Sequence, residues 1–453
     1  MAQAHSKSYL FESMPIPKAV MELSIPMVVT SLVMVVYNLA DTFFVGILND
    51  PVQNAAVTLV YPVMLAFNAV NNLFGVGTSS MMSRSLGRGD HEMVRTSSAF
   101  GFYGAVFSGL AFALLCTLFK TPLMHLLGTD TVTWEATANY MFWTVSCGAM
   151  PAILNVVQAQ MVRAEGSSLH ASIGTMSGCV LNIILDPIFI LPWGLGMGAA
   201  GAGLATFLSN CVACGYFFLL PRLKKGNTFV CLDIRKLKNL NREVVVGILG
   251  VGIPASIQNL LNVTGSTILN NFTAVYGAAA VAAMGVSHKI NMLPIQICMG
   301  FSQGIMPLVS YNYASGNRKR MKDSVLFAMG IILPIMLAVT VGYWLGAPGL
   351  IRLFMDNPEI IAYGSRFLRG MCLGMTFLCI DFMAVGVFAS LGMGKYSLTF
   401  AILRKVVLEI PLLFLLNTLL PLYGLAYAQF LAEVILAIAA VVMLVRIFRQ
   451  DGE

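Results

Sequence analysis

Long apolar runs separated by short polar breaks dominate the chain. Six runs fill the first half, near 18–48, 54–83, 96–120, 136–162, 169–192 and 199–221. After a polar stretch six more follow, near 243–274, 279–311, 323–347, 360–391, 396–418 and 424–447. A helix needs about 20 residues to cross a bilayer, and these runs do not alternate as the strands of a membrane barrel do. The pattern therefore predicts an all-α polytopic membrane protein with twelve transmembrane helices.

The composition narrows the class of protein further. Hydrophobic residues make up 58% of the 453 residues and charged residues only 10%, whereas a soluble domain carries about 25% charged residues. Such a chain could not cover a soluble fold of this size with polar surface, which excludes soluble enzymes, nucleic-acid binders and disordered scaffolds. We find no nucleotide-binding loop, zinc-protease motif or catalytic triad, and we expect neither enzymatic activity nor a cofactor. The polar N-terminal segment lacks the pattern of a removable signal peptide.

The basic residues predict the orientation in the membrane. Twelve spans place both termini on one side, and that side receives twenty of the 27 Lys and Arg residues. The opposite side receives four, and the other three fall inside spans. Because cytoplasmic loops of membrane proteins carry the excess of Lys and Arg, we expect both termini to be cytoplasmic.

The second half of the chain repeats the first at an offset of 227–229 residues. The matched positions are 25–26 with 253–254, 72–90 with 299–317, Gly166 with Gly394, and Pro192 with Pro421. Six spans in each half give both halves the same orientation, related by a pseudo-two-fold axis along the membrane normal, as in many transporters. We predict an N-terminal lobe, a basic cytoplasmic linker and a C-terminal lobe, over 1–222, 223–242 and 243–453.

Two acidic residues lie inside apolar spans of the first half, where ionisable groups are costly and mark functional sites. Asp41 and Asp186 lie about 10 Å and about 9 Å from the outer ends of their spans, at a rise of about 1.5 Å per residue. Thr206 lies at a similar depth, and Asn182 shares a helical face with Asp186. Such oxygen ligands suit a proton or a hard cation such as Na⁺. The alternative is that each Asp only accepts helix-end or side-chain hydrogen bonds.

The repeat assigns this cation site to the first half. At an offset of 228 residues, Asp41 corresponds to Leu269 and Asp186 to Phe414, which are apolar. The second half has its own charged residues within spans: His288, Lys289, Asp381, Arg404, Lys405, Glu409 and Glu433. Lys405 and Glu409 are spaced to form an ion pair on one helix. Lys289 and Asp381 either face a central cavity or neutralise another buried charge.

A substrate cavity is expected between the two halves. We place there the polar residues Tyr37, Asn38, Asn155, Gln258, Lys289 and Asp381. The chain contains 28 Met and 28 Phe residues, and flexible thioethers and aromatic faces suit lipophilic cations of many shapes. The expected partners are therefore small amphiphilic drugs and dyes and the membrane lipid, with no nucleic acid and no obligate protein partner.

Several segments resemble the multidrug and toxic compound extrusion (MATE) family. They are SIPM at 24–27, YNLADTFFVG at 37–46, SLGRGD at 85–90, RAEG at 163–166, LNIILDPIFI at 181–190 and NYASGN at 312–317. They span nearly the whole chain, and the pattern is most similar to bacterial members of the MepA-like branch. The two segments with Asp41 and Asp186 are specific when they occur together.

The resemblance implies two six-helix lobes in a V shape, in the bacterial cytoplasmic membrane. It also implies export of cationic, amphiphilic compounds driven by inward H⁺ or Na⁺. Carried over residue by residue, the first-lobe cation site, a candidate site for Na⁺, consists of Asp41, Asn182, Asp186 and Thr206. Some relatives have an acidic residue early in the seventh span, whereas this chain has Gln258 and no carboxylate there.

Two other classes of function are compatible with parts of the sequence. A flippase of the same superfamily, moving a lipid-linked oligosaccharide, predicts a broader, more basic cavity and helices beyond twelve. A receptor or a channel would need neither the internal repeat nor the buried acids. The sequence favours a secondary active, cation-coupled multidrug antiporter.

Overall fold

The computed structural model describes residues 9–224 and 228–450, and every regular element in those ranges is helical. The all-α class that the apolar runs predict is thereby confirmed. Lys7 and Lys225, which the charge count includes, lie outside the described residues.

The first half contains long helices with few interruptions. They are α1 (Ile16–Ile47), α2 (Pro51–Gly87), α3 (His91–Leu118), α4 (Lys120–Leu126), α5 (Trp134–Met141), α6 (Ala149–Ala164), α7 (Ser168–Ile190) and α8 (Ala199–Leu223). A π-helical turn at Tyr9–Ser13 precedes them. A second π-helical stretch, Phe142–Cys147, follows α5, and the chain bends by 44° between this stretch and α6.

The second half follows a 3₁₀ turn at Ile234–Asn239. Its helices are α9 (Arg242–Ala274), α10 (Ala278–Ala314), α11 (Arg318–Phe354), α12 (Pro358–Cys372), α13 (Met375–Ser390), α14 (Gly394–Ile402), α15 (Ile410–Leu419) and α16 (Gly424–Gln450). The pair α12 and α13 bends by 44°, so the fourth span of each half is broken. A π-helical stretch, Leu403–Glu409, joins α14 to α15.

The number of membrane spans depends on how broken helices are counted. Within the described chain nine helices are long and apolar enough to cross a membrane, and the count reaches eleven if each bent pair is one span. The sequence-predicted span 396–418 is divided among α14, the π-helical stretch and α15. The twelfth span therefore stays a prediction.

Two compact units make up the described chain. Unit 1 contains Val29–Ser256 and the segment that ends at Ser13, and unit 2 contains Met14–Val28 and the chain from Ile257 onward. Both α1 and α9 therefore begin in one unit and end in the other. The boundaries 1–222, 223–242 and 243–453, which describe the sequence repeat, stay a prediction.

Glycines at equivalent positions of the repeat allow α1 and α9 to pack closely against neighbouring helices. In unit 2 a side chain at Gly304 of α10 would meet the backbone of Ser24 on α1. In unit 1 a side chain at Gly77 of α2 would meet the carbonyl of Ile248 on α9. Because Gly77 and Gly304 lie 227 residues apart, each half uses the same small residue to let a helix backbone approach closely.

A buried carboxylate holds the segment after α8 against unit 1. Glu165 is fully buried at the end of α6. Its Oε2 accepts hydrogen bonds from the Phe229 backbone N–H at 2.7 Å and from the Thr228 hydroxyl at 3.0 Å. Ser98 on α3 accepts from the Cys231 backbone N–H at 3.0 Å. These contacts, made by side chains of α3 and α6, fix the start of the linker.

We expect Glu165→Ala to release this segment. Loss of hydrogen bonds to a charged acceptor, with a backbone N–H left unpaired, costs about 1–3 kcal/mol. Trypsin should therefore cut at Lys236 and Lys238 about tenfold faster, because cleavage follows the population of the opened segment. The control is Asp356→Ala, which removes a surface ion pair with Arg352 far along the chain from this segment and should change the rate little. Equal rates in the two variants would contradict the role of Glu165.

Candidate functional site

The four residues of the predicted cation site lie on three helices of unit 1. Asp41 is on the part of α1 that belongs to this unit, Asn182 and Asp186 are on α7, and Thr206 is on α8. A short turn joins α7 to α8, and the two helices pack against each other. Residues at similar distances from that turn face each other, which places Asn182 opposite Thr206.

The Asn182 amide links the acidic and the hydroxyl side chains. In the orientation that satisfies both ends, its nitrogen donates to Asp186 Oδ2 at 2.9 Å. Its oxygen accepts from the Thr206 backbone N–H at 3.0 Å and lies 3.3 Å from the Thr206 hydroxyl. Both Asn182 and Asp186 are buried. The i,i+4 spacing of the sequence thus produces a direct hydrogen bond.

A second group of polar side chains extends this network. Tyr37 lies one turn before Asp41 on α1 and interacts electrostatically with Asp41 and Asp186. Asn210, one turn after Thr206 on α8, donates to the Thr206 carbonyl at 2.9 Å. Its Oδ1 accepts from Asn155 Nδ2 on α6 at 3.2 Å. Two of the residues assigned to the substrate cavity therefore adjoin the cation-site residues. Asn155 does so through hydrogen bonds, and Tyr37 does so through its electrostatic interaction with the carboxylates.

The two carboxylates lie close enough to interact electrostatically. Among the described residues, one oxygen of each, Oδ1 of Asp41 and Oδ1 of Asp186, is buried and has no hydrogen-bond partner. Two acceptor atoms without donors are costly in a membrane interior. A bound proton or metal cation would supply what these two oxygen atoms lack.

Tyr140 and Asn210 contribute to the site and were not identified from the sequence. Tyr140 is buried on α5 and interacts electrostatically with both Asp41 and Asp186. Asn210 could have been found, because it lies four residues after Thr206 and therefore on the same face of α8. Tyr140 had no such signal, because α5 contains none of the predicted cation-site residues.

For three other residues assigned to the substrate cavity, the structure gives only the surroundings within their own unit. Asn38 is exposed on α1 and donates to the Met34 carbonyl of its own helix at 2.9 Å. Gln258, on the unit 2 part of α9, is half-buried, and Lys289 is exposed on α10. Their assignment to a substrate path stays a prediction.

Asp381 neutralises a buried charge, the second of the two alternatives that the sequence allows. Its side chain is fully buried on α13 and forms an ion pair with Arg404 of the π-helical stretch. Lys405 pairs with Glu409 at 2.6 Å, as their spacing predicts. Asp381 is thus enclosed in unit 2 and is not a residue of an open cavity.

The first-unit site offers a small set of hard oxygen ligands. Two carboxylates, an amide and hydroxyl groups are the donors that suit Na⁺, and the same carboxylates can take up protons.

We expect Asn182→Ala to raise the half-saturating cation concentration about tenfold, since a buried hydrogen bond to a charged group contributes about 1.5–3 kcal/mol. Ser177→Ala on the same helix removes only a bond to the Gly174 carbonyl and serves as the control. An unchanged cation dependence in Asn182→Ala would exclude this amide from the site.

The chain matches a known family twice. The MatE family model covers residues 26–188 and again 254–415. The two matches begin 228 residues apart, which confirms the internal repeat. The chain is 34% identical over 440 residues to the multidrug export protein MepA of a Staphylococcus aureus strain, covering 96% of this chain and 95% of that protein. It is 32% identical over 436 residues to MepA of Staphylococcus saprophyticus, with the same coverage.

Solved structures of similar fold agree with these matches. An outward-facing multidrug resistance MATE transporter of the MOP superfamily superposes with a TM-score of 0.90 at 27% identity, covering 96% of this chain and 97% of that one. MATE in complex with MaD3S gives a TM-score of 0.92 at 27% identity and 98% coverage of both chains. A MOP superfamily transporter of Pyrococcus furiosus gives 0.90 at 27% identity, over 99% of this chain and 98% of that one.

Proposed function

The chain belongs to the MATE family of multidrug exporters, and we propose that it exchanges amphiphilic, often cationic, compounds for an inward-moving H⁺ or Na⁺. Membership makes it an integral protein of the bacterial plasma membrane, and its relatives are transporters. The coupling cation, its site and the substrate class are our proposal. The proposal rests above all on the two unpaired, buried carboxylate oxygens of Asp41 and Asp186.

Cation binding at these oxygens supplies the energy for transport. Without a cation, two neighbouring carboxylates repel each other and lack donors. A bound H⁺ or Na⁺ removes both costs, and it therefore stabilises the arrangement in which α1 and α7 lie together. A ligand shifts an equilibrium between two states only by binding them with different affinity. The exported compound must accordingly favour the state in which the cation site is disrupted.

The hydrogen-bonded network connects the cation site to other helices of unit 1. Tyr37 lies one turn before Asp41 on α1 and interacts electrostatically with Asp186 on α7, so movement of α1 changes the surroundings of both Tyr37 and Asp41. Asn155 and Asn210 continue the network to α6. We propose that these side chains report the occupancy of the cation site to the helices that contact the exported compound.

The test is efflux of a fluorescent cationic dye from everted membrane vesicles. Vesicles with the wild-type protein should move dye when a pH gradient or a Na⁺ gradient is imposed, and the gradient that works identifies the coupling cation. Vesicles without the protein provide the baseline. Indifference to dye under both gradients, together with movement of a labelled polyprenyl sugar, would reject this proposal in favour of a flippase.

A further inference from the structure

We infer that unit 2 contains a separate proton-binding site, at Glu433 on α16. The observation that points to it is a buried cluster of five charged residues, which we call the unit 2 charge cluster: Asp381, Arg404, Lys405, Glu409 and Glu433. Each of these side chains is about nine-tenths or more buried. None of the five belongs to the cation site of unit 1.

Three of the five residues of the cluster lie on a backbone segment of unusual geometry. Arg404, Lys405 and Glu409 lie on the π-helical stretch Leu403–Glu409, and its buried residues are Arg404 and Glu409. Val406 and Val407 of the same stretch are exposed on the surface of the unit. This segment therefore directs charge inward and apolar side chains outward. π-Helical turns inside α-helices are frequent at functional sites.

The charges of the cluster do not balance. Three carboxylates and two cationic groups leave one negative charge in excess when all are ionised. Glu433 lies nine residues into α16, about 14 Å along the helix at about 1.5 Å per residue, and is fully buried. An uncompensated charge at such a depth is costly. One bound proton makes the cluster neutral.

Hydrogen bonding shows which carboxyl takes that proton. Asp381 pairs directly with Arg404, and Glu409 accepts from Lys405 at 2.9 Å. Neither oxygen of Glu433 has a hydrogen-bond partner among the described residues. Its nearest cation is Arg404, whose Nε lies 3.5 Å from Oε1. Glu433 is thus the carboxyl left over after both cations have been paired.

One further titratable group faces the cluster from a neighbouring helix. His288 on α10 interacts with Lys405 and Glu409. A proton on its imidazole would also balance the cluster, but Lys405 would then face a like charge. From α9, Gly265 leaves the space that the Lys405 side chain fills. His288 is exposed on α10 and lies outside the buried set of charges, so the proton that neutralises the buried set is assigned to Glu433.

Infrared spectroscopy of the purified full-length protein tests this inference without any transport. The wild type near neutral pH should show the carbonyl band of a protonated carboxylic acid. In Glu433→Gln this band should lose the intensity that one protonated carboxyl group contributes. Asp381→Asn should lose the same intensity although Glu433 is intact, because Glu433 must then ionise to pair with Arg404. His288→Gln and the surface variant Glu359→Gln should retain the band. A band that Glu433→Gln leaves unchanged would overturn the inference.

Thermal melting gives a second, independent readout. Glutamine resembles a protonated glutamate in shape and charge, so Glu433→Gln should fold and melt close to the wild type. Asp381→Asn should melt at a lower temperature, because it removes the direct partner of a buried arginine. Failure of Glu433→Gln to fold, or a loss of stability equal to that of Asp381→Asn, would show that Glu433 is ionised. Neither readout depends on dye efflux, so this inference can fail while the proposed function stands.

Discussion

Asp41→Asn and Asp186→Asn, each made alone, should reduce gradient-driven dye efflux to the level of vesicles that lack the protein. An asparagine keeps the size of the side chain and can still hydrogen-bond, but it cannot take up a proton and binds Na⁺ without a counter-charge. Because the two carboxylates interact electrostatically, removal of either changes the affinity of the whole site. We therefore expect loss of transport in both variants, not a partial effect in one.

A matched control separates this effect from general damage to the protein. Asp356→Asn changes a carboxylate that is 73% exposed and pairs only with Arg352 on the surface. It should transport dye at the wild-type rate, since surface ion pairs contribute little. All variants should be present in the membrane at equal amounts before rates are compared. Wild-type transport in both Asp41→Asn and Asp186→Asn would remove the coupling mechanism proposed above.

Arg404→Gln should lower the stability of the protein strongly. It leaves Asp381 without the cation that pairs with it, and it removes the contact of the guanidinium with the Phe382 ring. Loss of one partner from a buried ion pair costs about 3–5 kcal/mol, because a charge is left without compensation. The measurement is thermal melting of the purified protein in detergent.

Arg352→Gln provides the comparison at the same residue type. Arg352 is 70% exposed and pairs with Asp356 one helical turn away. Its loss should cost no more than about 1 kcal/mol, so the two arginine variants should melt at clearly different temperatures. Similar melting temperatures would mean that the unit 2 charge cluster does not depend on Arg404.

The sequence was most informative about contacts between residues of the same helix. The pair Asn182 and Asp186, four residues apart, was expected on one helical face and forms a hydrogen bond. The pair Lys405 and Glu409 is a second example. Such contacts follow from the 3.6-residue period alone. Asn210 follows the same spacing, because it lies four residues after Thr206 on α8.

Contacts between helices could not be predicted in this way. Tyr140 lies on α5, whereas Asp41 and Asp186 lie on α1 and α7. Its position near both carboxylates therefore depends on how these helices pack. The choice between a cavity role and a pairing role for Asp381 required the position of Arg404, 23 residues away on another helix. Spacing along the chain contains no information on such distances, because loop geometry and side-chain packing set them.

By itself the sequence determined the class of protein, the repeat and the buried acids, since hydrophobicity and helical period are local properties that a bilayer makes obligatory. The tertiary structure decided which charges meet. It brought Asp41 and Asp186 together with unpaired oxygens, and it enclosed Asp381 with Arg404. The physical reason is that a charge in a membrane interior is stable only beside a partner or a bound cation, and that partner comes from whichever helix packs there.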